Sequence, residues 1–341
     1  MIAFAFAHAR TALACVALIA SCANAADTDR DPAGSPSDCA VPADLESELV
    51  RTYERAVHAL SPDEAGKLRA SQAGWRRALG ASCANANVAL SPDQTPMASC
   101  IEDAMQSRID ELGQLGLHAG ALVLTRGERD STSPEPPDPL QTLQPPRPLE
   151  THDAYPQIDA PISSAEREWN RAMALEPLVP KSDEGRSDLD RDYVVGCASP
   201  RLLSVRFSTY EFPHGAAHGW TTKQARNFVL QPTIRAMTPD DLFAPGSAWA
   251  DKLPDLLWQA YLDDGGQFAM DPKFEANVRA AAPKPDHWLL TPQGLQVAFS
   301  SYEAGCYACG PGPLTIPWAR LAPLLVPDAR PVCEAASDDP D

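Results

Sequence analysis

The sequence is short of positive charge. It contains 28 lysine and arginine residues against 46 aspartate and glutamate residues, and its formal net charge is −18 at pH 7. Nucleic acid and anionic lipid repel so acidic a chain, and neither is expected as a partner. The charge suits a cationic partner, although acidity that serves only solubility explains it as well.

Long apolar runs are also missing. A membrane-spanning helix needs about 20 apolar residues, and the one candidate, residues 11–21, is shorter. It follows Arg10, and this pattern is typical of a secretory signal over residues 1–25. The sequence therefore predicts an exported protein with no transmembrane segment in its mature form, either periplasmic or secreted.

Two cleavage patterns compete within that signal. Ala23, Asn24 and Ala25 form a small-x-small site that would release a soluble protein. Residues 19–22 read Ile-Ala-Ser-Cys, similar to a lipobox in which Cys22 would carry a lipid. The second pattern predicts a lipoprotein anchored in the outer membrane.

Motifs for nucleophilic and phosphate chemistry are absent. The chain has no Gly-x-Ser-x-Gly, no Ser-x-x-Lys with partner motifs and no phosphate-cradling glycine loop. We therefore expect neither enzymatic activity nor a cofactor.

Composition divides the chain into two domains. Residues 39–125 predict a helical domain, because apolar side chains recur at helical spacing: Leu45, Leu49, Tyr53, Ala56, Val57 and Leu60. Residues 131–150 contain seven prolines and predict a semi-rigid linker. A second domain follows over residues 151–327, and an acidic tail over residues 328–341.

The second domain mixes strand and helix signals. Residues 155–158 predict a short edge strand because they include Pro156, and Ser163 with Glu166 predicts a helix-capping box. Residues 203–209 alternate as a half-buried strand does, and residues 247–262 read as a helix that Pro254 should kink or restart. The fold class predicted is α+β, with a mainly antiparallel sheet beside helices.

Cysteine usage predicts disulfides, since the protein is expected to be exported. Cys83 ends one predicted helix and Cys100 begins the next, so their bond would fasten the connection. Cys306 and Cys309 form a Cys-x-x-Cys, but the following Gly-Pro-Gly-Pro forbids the helix of a redox motif. A local structural bond is favoured there over redox catalysis, with Cys197–Cys333 as the long-range pair and Cys39 left over.

A pair of histidines allows two interpretations. His214 and His218 stand four residues apart, a spacing that brings two zinc ligands together on a helix. Gly215 and Gly219 oppose a helix, and no third ligand follows in an evident motif. The alternative, a glycine-rich turn between two strands that presents a binding loop, is favoured.

The helical domain resembles the N-terminal domain of LprI-type lysozyme-inhibitor lipoproteins. The shared segments lie in order along the chain: residues 44–49 running into Tyr53, Gln72-x-x-Trp75-Arg76 before Cys83, Cys100-Ile101, and residues 108–112. The family carries a further cysteine upstream of Cys39, and this chain lacks it.

Residues 151–326 resemble the lysozyme-sensing ectodomain of RsiV-type anti-sigma factors. The motifs that carry the resemblance run through the whole domain: Tyr155-Pro156, Trp169-Asn170, Leu203-Ser204-Val205 with Tyr210, residues 215–219, Asp241-Leu242-Phe243, residues 290–295 with Phe299 and Tyr302, and Ile316-Pro317. No sigma-binding segment or transmembrane helix accompanies them, so signalling through a sigma factor is not implied.

These resemblances imply a binding protein of the cell envelope whose partner is a basic lysozyme-like muramidase. The expected contacts lie in two loops and involve Tyr210, His214, His218, Tyr302 and Glu303. One alternative is a non-inhibitory module that binds peptidoglycan or another envelope protein. Another is a metal-dependent envelope hydrolase, because related domains accompany peptidoglycan deacetylases.

Overall fold

A computed structural model describes residues 42–83, 96–136, 147–175, 178, 186–266, 271–307, 311–327, 329 and 333. The predicted signal, Cys22, Cys39, Cys309 and most of the acidic tail lie outside these residues. The chain divides into a helical unit that ends at Gly113 and a mixed unit that continues from Gln114. The predicted α+β class is confirmed.

The helical unit consists of three helices: α1 (Ala43–Ala59), α2 (Pro62–Cys83) and α3 (Pro96–Gly113). Leu49 and Ala56 are the buried positions of α1, as the apolar periodicity predicts. The predicted disulfide between Cys83 and Cys100 is present and joins the end of α2 to the first turn of α3.

A buried arginine fastens α2 to α3. Arg108 donates through Nε to Gln72 at 2.9 Å and through one terminal nitrogen to Glu111 at 2.7 Å. The Trp75 ring lies 6.0 Å from the same guanidinium. Because a buried charge needs such partners, these residues hold the two helices together.

The mixed unit contains a large sheet whose described strands follow chain order. They are β1 (His118–Ala119), β2 (Leu122–Ser133), β3 (Leu149–Ile158), β4 (Ser187–Ala198), β5 (Leu202–Pro213), β6 (Trp220–Val229) and β7 (Arg235–Ala236). Every neighbouring pair is antiparallel except β3 and β4. Helix α4 (Ser164–Leu175) lies between β3 and β4 in the chain, as a parallel connection requires.

Three expectations about this unit need correction. The helical unit ends at Gly113 rather than residue 125, because β1 and β2 already belong to the sheet. The proline-rich stretch 131–150 therefore connects paired strands β2 and β3 and does not separate two domains. The predicted edge strand is the end of the interior strand β3, where Pro156 lies beyond the three positions that pair with β4.

One face of the sheet is covered by α4. Trp169 and Met173 of this helix belong to one buried cluster with Val205 and Phe207 of β5, and the Trp169 ring meets that of Phe228 on β6 with centroids 5.7 Å apart. The predicted capping box is present, since Ser163 Oγ accepts from Glu166 N at 3.1 Å and Glu166 accepts from Ser163 N. Fully buried Asp153 of β3 binds Arg129 at 2.6 Å and Arg191 at 2.7 Å, and so joins β2, β3 and β4.

A second core surrounds a small sheet in the order β10-β9-β8. Its elements are α5 (Trp249–Asp263), α6 (Pro272–Ala281), β8 (Trp288–Leu290), β9 (Gly294–Val297), β10 (Leu314–Pro317) and α7 (Trp318–Leu321). The predicted restart at Pro254 does not occur, because α5 continues through that residue. A disulfide joins Cys197 to Cys333, the long-range pair named from the sequence. Within the described residues, no helix is long and apolar enough to cross a membrane.

The Cys83–Cys100 bond predicts a local loss of stability when it is removed. Its chain separation is 17 residues, and a loop of this size corresponds to about 3 kcal/mol. Cys83→Ser with Cys100→Ser should lower the free energy of opening of α1–α3 by roughly this amount, measured by amide hydrogen exchange. Cys197→Ser with Cys333→Ser is the control, and the expectation fails if both variants weaken the same helices equally.

Candidate functional site

The predicted glycine-rich turn is present and forms the hairpin connection between β5 and β6. Strand β5 ends at Pro213 and β6 begins at Trp220. A side chain at Gly219 would place its Cβ 2.2 Å from the carbonyl oxygen of Glu211 and 2.7 Å from the Tyr210 ring. The Tyr210 hydroxyl also accepts from Gly219 N at 3.3 Å. Glycine is therefore required where the tyrosine folds back over the tip.

The two histidines of this turn do not form one site. His214 is buried, with Nδ1 2.9 Å from Glu135 Oε1 and Nε2 3.0 Å from Asp188 Oδ1. His218 is exposed and contacts a different loop. Among the described residues, no group of three or more histidine, cysteine or acidic side chains could hold a metal ion.

His218 is oriented by two hydrogen bonds. Its Nδ1 lies 3.0 Å from the Gly219 carbonyl, which can only accept. In the neutral imidazole, Nε2 therefore accepts from the Tyr302 hydroxyl, 3.2 Å away. The ring is fixed in one tautomer and points toward the loop that carries Tyr302.

The loop over residues 300–307 is fastened to the free edge of β6. Ser301 N donates to the Thr221 carbonyl at 2.8 Å, and Thr221 N donates back to Ser301 Oγ at 2.9 Å. Ser300 Oγ accepts from Lys223 N at 3.1 Å. These bonds continue the sheet by a few residues and place the loop beside the hairpin tip.

Glu303 holds this loop from within. Its Oε2 accepts from Ser300 N at 2.9 Å, and its Oε1 lies 3.2 Å from Nε2 of the buried His287. His287 is held in turn by Nδ1, 3.0 Å from the Ala298 carbonyl. The carboxylate predicted to meet a partner thus has an internal role as well, with 23% of its side chain exposed.

Three aromatic side chains, which we call the tip cluster, meet where the hairpin and this loop adjoin: His218, Tyr302 and Tyr307. The rings of His218 and Tyr307 stack with centroids 4.4 Å apart, and those of Tyr302 and Tyr307 lie 5.8 Å apart. Tyr302 is 52% exposed and Tyr307 45%. Aromatic rings held outward in this way suit recognition.

Backbone strain accompanies the tip cluster. Tyr302 adopts φ = 66°, the left-handed region that bulky residues avoid. Such conformations persist where surrounding contacts enforce them, and they concentrate at functional sites. Cys306 is bonded in a disulfide, and its expected partner Cys309 lies outside the described residues. The contact loop predicted from the sequence, residues 302–310, includes Tyr307, but Tyr307 was not among the individual residues predicted to bind.

Six carboxylates point to the side of the large sheet opposite α4, and we call them the acidic face: Glu128, Asp130, Glu150, Asp188, Asp190 and Asp192. The register shows it, because directly paired residues share a side: Asp130 pairs with His152, His152 with Asp190, and Asp190 with Tyr210. The side chain of Asp130 is 78% exposed and that of Asp192 56%.

Three basic groups contact these carboxylates: Arg126, His152 and, through Asp188, His214. Arg126 binds Glu128 at 2.6 Å and Asp192 at 2.7 Å. Burial acts to lower the pKa of His152, but its hydrogen bond with Asp130 and the charges of Asp190, Asp130 and Glu128 raise it above the usual value. The acidic face was not predicted from the sequence, although acidic and buried residues alternate along residues 188–193.

The mixed unit thus presents two candidate recognition surfaces, the acidic face and the tip cluster, on an α+β scaffold. Residues 240–319 of the mixed unit match a family model described as "Protein of unknown function (DUF3298)". That segment includes Tyr302 and Tyr307 but not the β5–β6 hairpin. No curated protein matches the chain.

Two solved structures are similar to this chain. A DUF3298 family member from Bacteroides fragilis is 18% identical, with a TM-score of 0.46, over 61% of this chain and 95% of that one. A DUF3298 family protein from Pseudomonas aeruginosa is 16% identical, with a TM-score of 0.42, over 62% of this chain and 98% of that one.

The hairpin tip predicts a specific intolerance at Gly219. Gly219→Ala brings a Cβ against backbone oxygen, so the tip must shift, at a cost of about 1–3 kcal/mol. Thermal unfolding of the variant should show this loss, whereas Gly312→Ala, where the added Cβ meets nothing within 4 Å, should be near neutral. Equal stability of the two variants would contradict the close approach at Gly219.

The raised pKa of His152 predicts a pH-dependent contribution to stability. A raised folded-state value stabilises fully below the unfolded value, about 6.5, and this stabilisation is lost as pH rises through the folded value. The difference in unfolding free energy between wild type and His152→Gln should therefore shrink from pH 5 to pH 9. A difference that stays constant over this range would show that the acidic face does not hold the proton.

Proposed function

We propose that this protein binds a basic protein of the lysozyme type, a muramidase, and blocks it without catalysis of its own. The observation that carries the proposal is the continuity of the two surfaces through Tyr210. This residue pairs directly with Asp190 of the acidic face, and its hydroxyl reaches Gly219, next to His218 of the tip cluster.

The acidic face supplies the electrostatic part of recognition. Its six carboxylates outnumber the three basic groups that contact them, and the whole chain carries a net charge of −18. Opposite potentials on two proteins steer their encounter and raise the association rate, with a strong dependence on salt. A cationic enzyme is the partner that this surface attracts.

The tip cluster supplies the anchor. Tyrosine side chains bury a large area at small entropic cost, and they are frequent among the residues that dominate binding energy. Tyr302 is already held by His218, and its loop by β6. Little conformational freedom remains to be lost on binding, and this preserves affinity.

The resemblance to lysozyme-sensing ectodomains supports this choice of partner, as do the predicted export signal and the resemblance of the helical unit to lysozyme-inhibitor lipoproteins. In this proposal the mature protein resides in the periplasm or outside the cell, either free or tethered through Cys22.

Charge neutralisation on the acidic face tests the proposal. A variant with Asp130, Asp190 and Asp192 changed to asparagine should bind lysozyme with an association rate about tenfold lower at low salt, and the deficit should shrink at high salt. Surface plasmon resonance with several lysozyme types measures the rate, and a turbidity assay on cell walls measures inhibition.

The matched control removes three exposed carboxylates elsewhere in the mixed unit, by changing Asp240, Asp251 and Asp264 to asparagine. It should bind almost as fast as wild type. An equal loss of association rate in both variants would show that the effect depends only on net charge. Absence of binding to every lysozyme type would refute the proposed function.

A second candidate is favoured by the ring geometry of the tip cluster. Exposed, stacked aromatic faces such as those of His218 and Tyr307 also bind sugar rings, and a peptidoglycan-binding module would use them. Sedimentation with purified sacculi separates the candidates. The second function is supported if wild-type protein pellets with sacculi and leaves lysozyme active. The double variant Tyr302→Ala/Tyr307→Ala should then no longer pellet.

A further inference from the structure

Two cations lie close together on the β5–β6 part of the large sheet, on the same side as Tyr210. Arg206 pairs directly with Ala225, and Ser208 pairs directly with Lys223. Arg206 and Lys223 are therefore diagonal neighbours on one face, a position within reach for long side chains. We call them the cation pair.

The cation pair has no ion-pair partner among the described residues. Other arginines of this acidic chain are engaged by carboxylates, for example Arg126, Arg191 and Arg279. Arg206 instead donates through Nη1 to the neutral side chain of Gln296, and its buried Nε has no hydrogen-bond partner there.

The pKa values of both members of the cation pair are lowered. Burial lowers the pKa of the Arg206 guanidinium. Burial, and after it the charge of Arg206, lower the pKa of the Lys223 amine. No carboxylate acts on either group in the opposite direction. Two like charges partly removed from water carry a free-energy cost, which an anion between them would relieve.

The nearest carboxylate on this face is already occupied. Asp192 pairs directly with Ser208, but its Oδ1 accepts from Arg126 Nη1 at 2.7 Å and from Tyr193 N at 2.7 Å. These contacts hold Asp192 Oδ1 toward the β2 side of the sheet. In the part of the chain that the structure describes, no charged acceptor binds the donors of the cation pair.

We propose that Arg206 and Lys223 form a binding site for an oxyanion, a carboxylate or phosphate group of a small ligand. Arg206 supplies planar donors that match two oxygens, and Lys223 supplies a compact charge. This site lies beside the acidic face on the same side of the sheet, with Ser208 between Asp192 and Lys223, and it does not depend on the proposed binding of lysozyme.

The test follows the Lys223 ammonium by NMR in the full-length protein, titrated with sodium acetate or sodium phosphate against sodium chloride at equal ionic strength. An oxyanion that binds should shift the Lys223 signal in a saturable way and raise its pKa by about one, as an opposite charge within reach does. The arm that responds, acetate or phosphate, identifies the group.

Two variants make the result specific. Arg206→Gln should abolish the saturable response and, by removing a like charge, raise the pKa of Lys223 in the free protein. Arg206→Lys retains the charge and should keep part of the response. Exposed Lys252 and Lys273 are internal controls. A response that neither anion produces beyond chloride, or that these lysines share equally, would overturn the proposal.

Discussion

The attachment of the 300–307 loop to the edge of β6 is the interaction on which the tip cluster depends. Ser300 and Ser301 bond to the backbone of Thr221 and Lys223 and so add a short piece of chain to the sheet. Without these bonds Tyr302 would not reach His218, and Tyr307 would have no ring to stack on. The contact between Glu303 and His287 holds the loop in the conformation in which Tyr302 adopts φ = 66°.

The acidic face depends on a different constraint, the two-residue alternation of β-strands. Leu189, Arg191 and Tyr193 are buried on the α4 side of β4, so the intervening aspartates must point the other way. Asp153 secures the arrangement, because its buried carboxylate binds arginines of both neighbouring strands. Pairing of β3 with β4 at only three positions makes this link important. The aspartates therefore lie close together on the exposed face, because the residues that alternate with them must be buried on the other face.

Local patterns predicted much of the fold and only part of the candidate site. Helical spacing located α1, and the positions of Cys83 and Cys100 at helix ends predicted their disulfide. The glycines around His214 and His218 favoured the hairpin turn that is observed. Composition identified the proline-rich stretch but could not show that the strands on either side pair with each other. The contact of His218 with Tyr307 joins distant parts of the chain, and no local pattern signals it.

Hydrogen–deuterium exchange of the full-length protein, with and without a lysozyme that it captures, tests most directly whether the acidic face and the tip cluster form the binding site. Exchange should slow on binding in residues 128–130 and 188–192 of the acidic face, in the 215–219 turn and in the 300–307 loop. Slower exchange confined to the helical unit, with these segments unchanged, would contradict it.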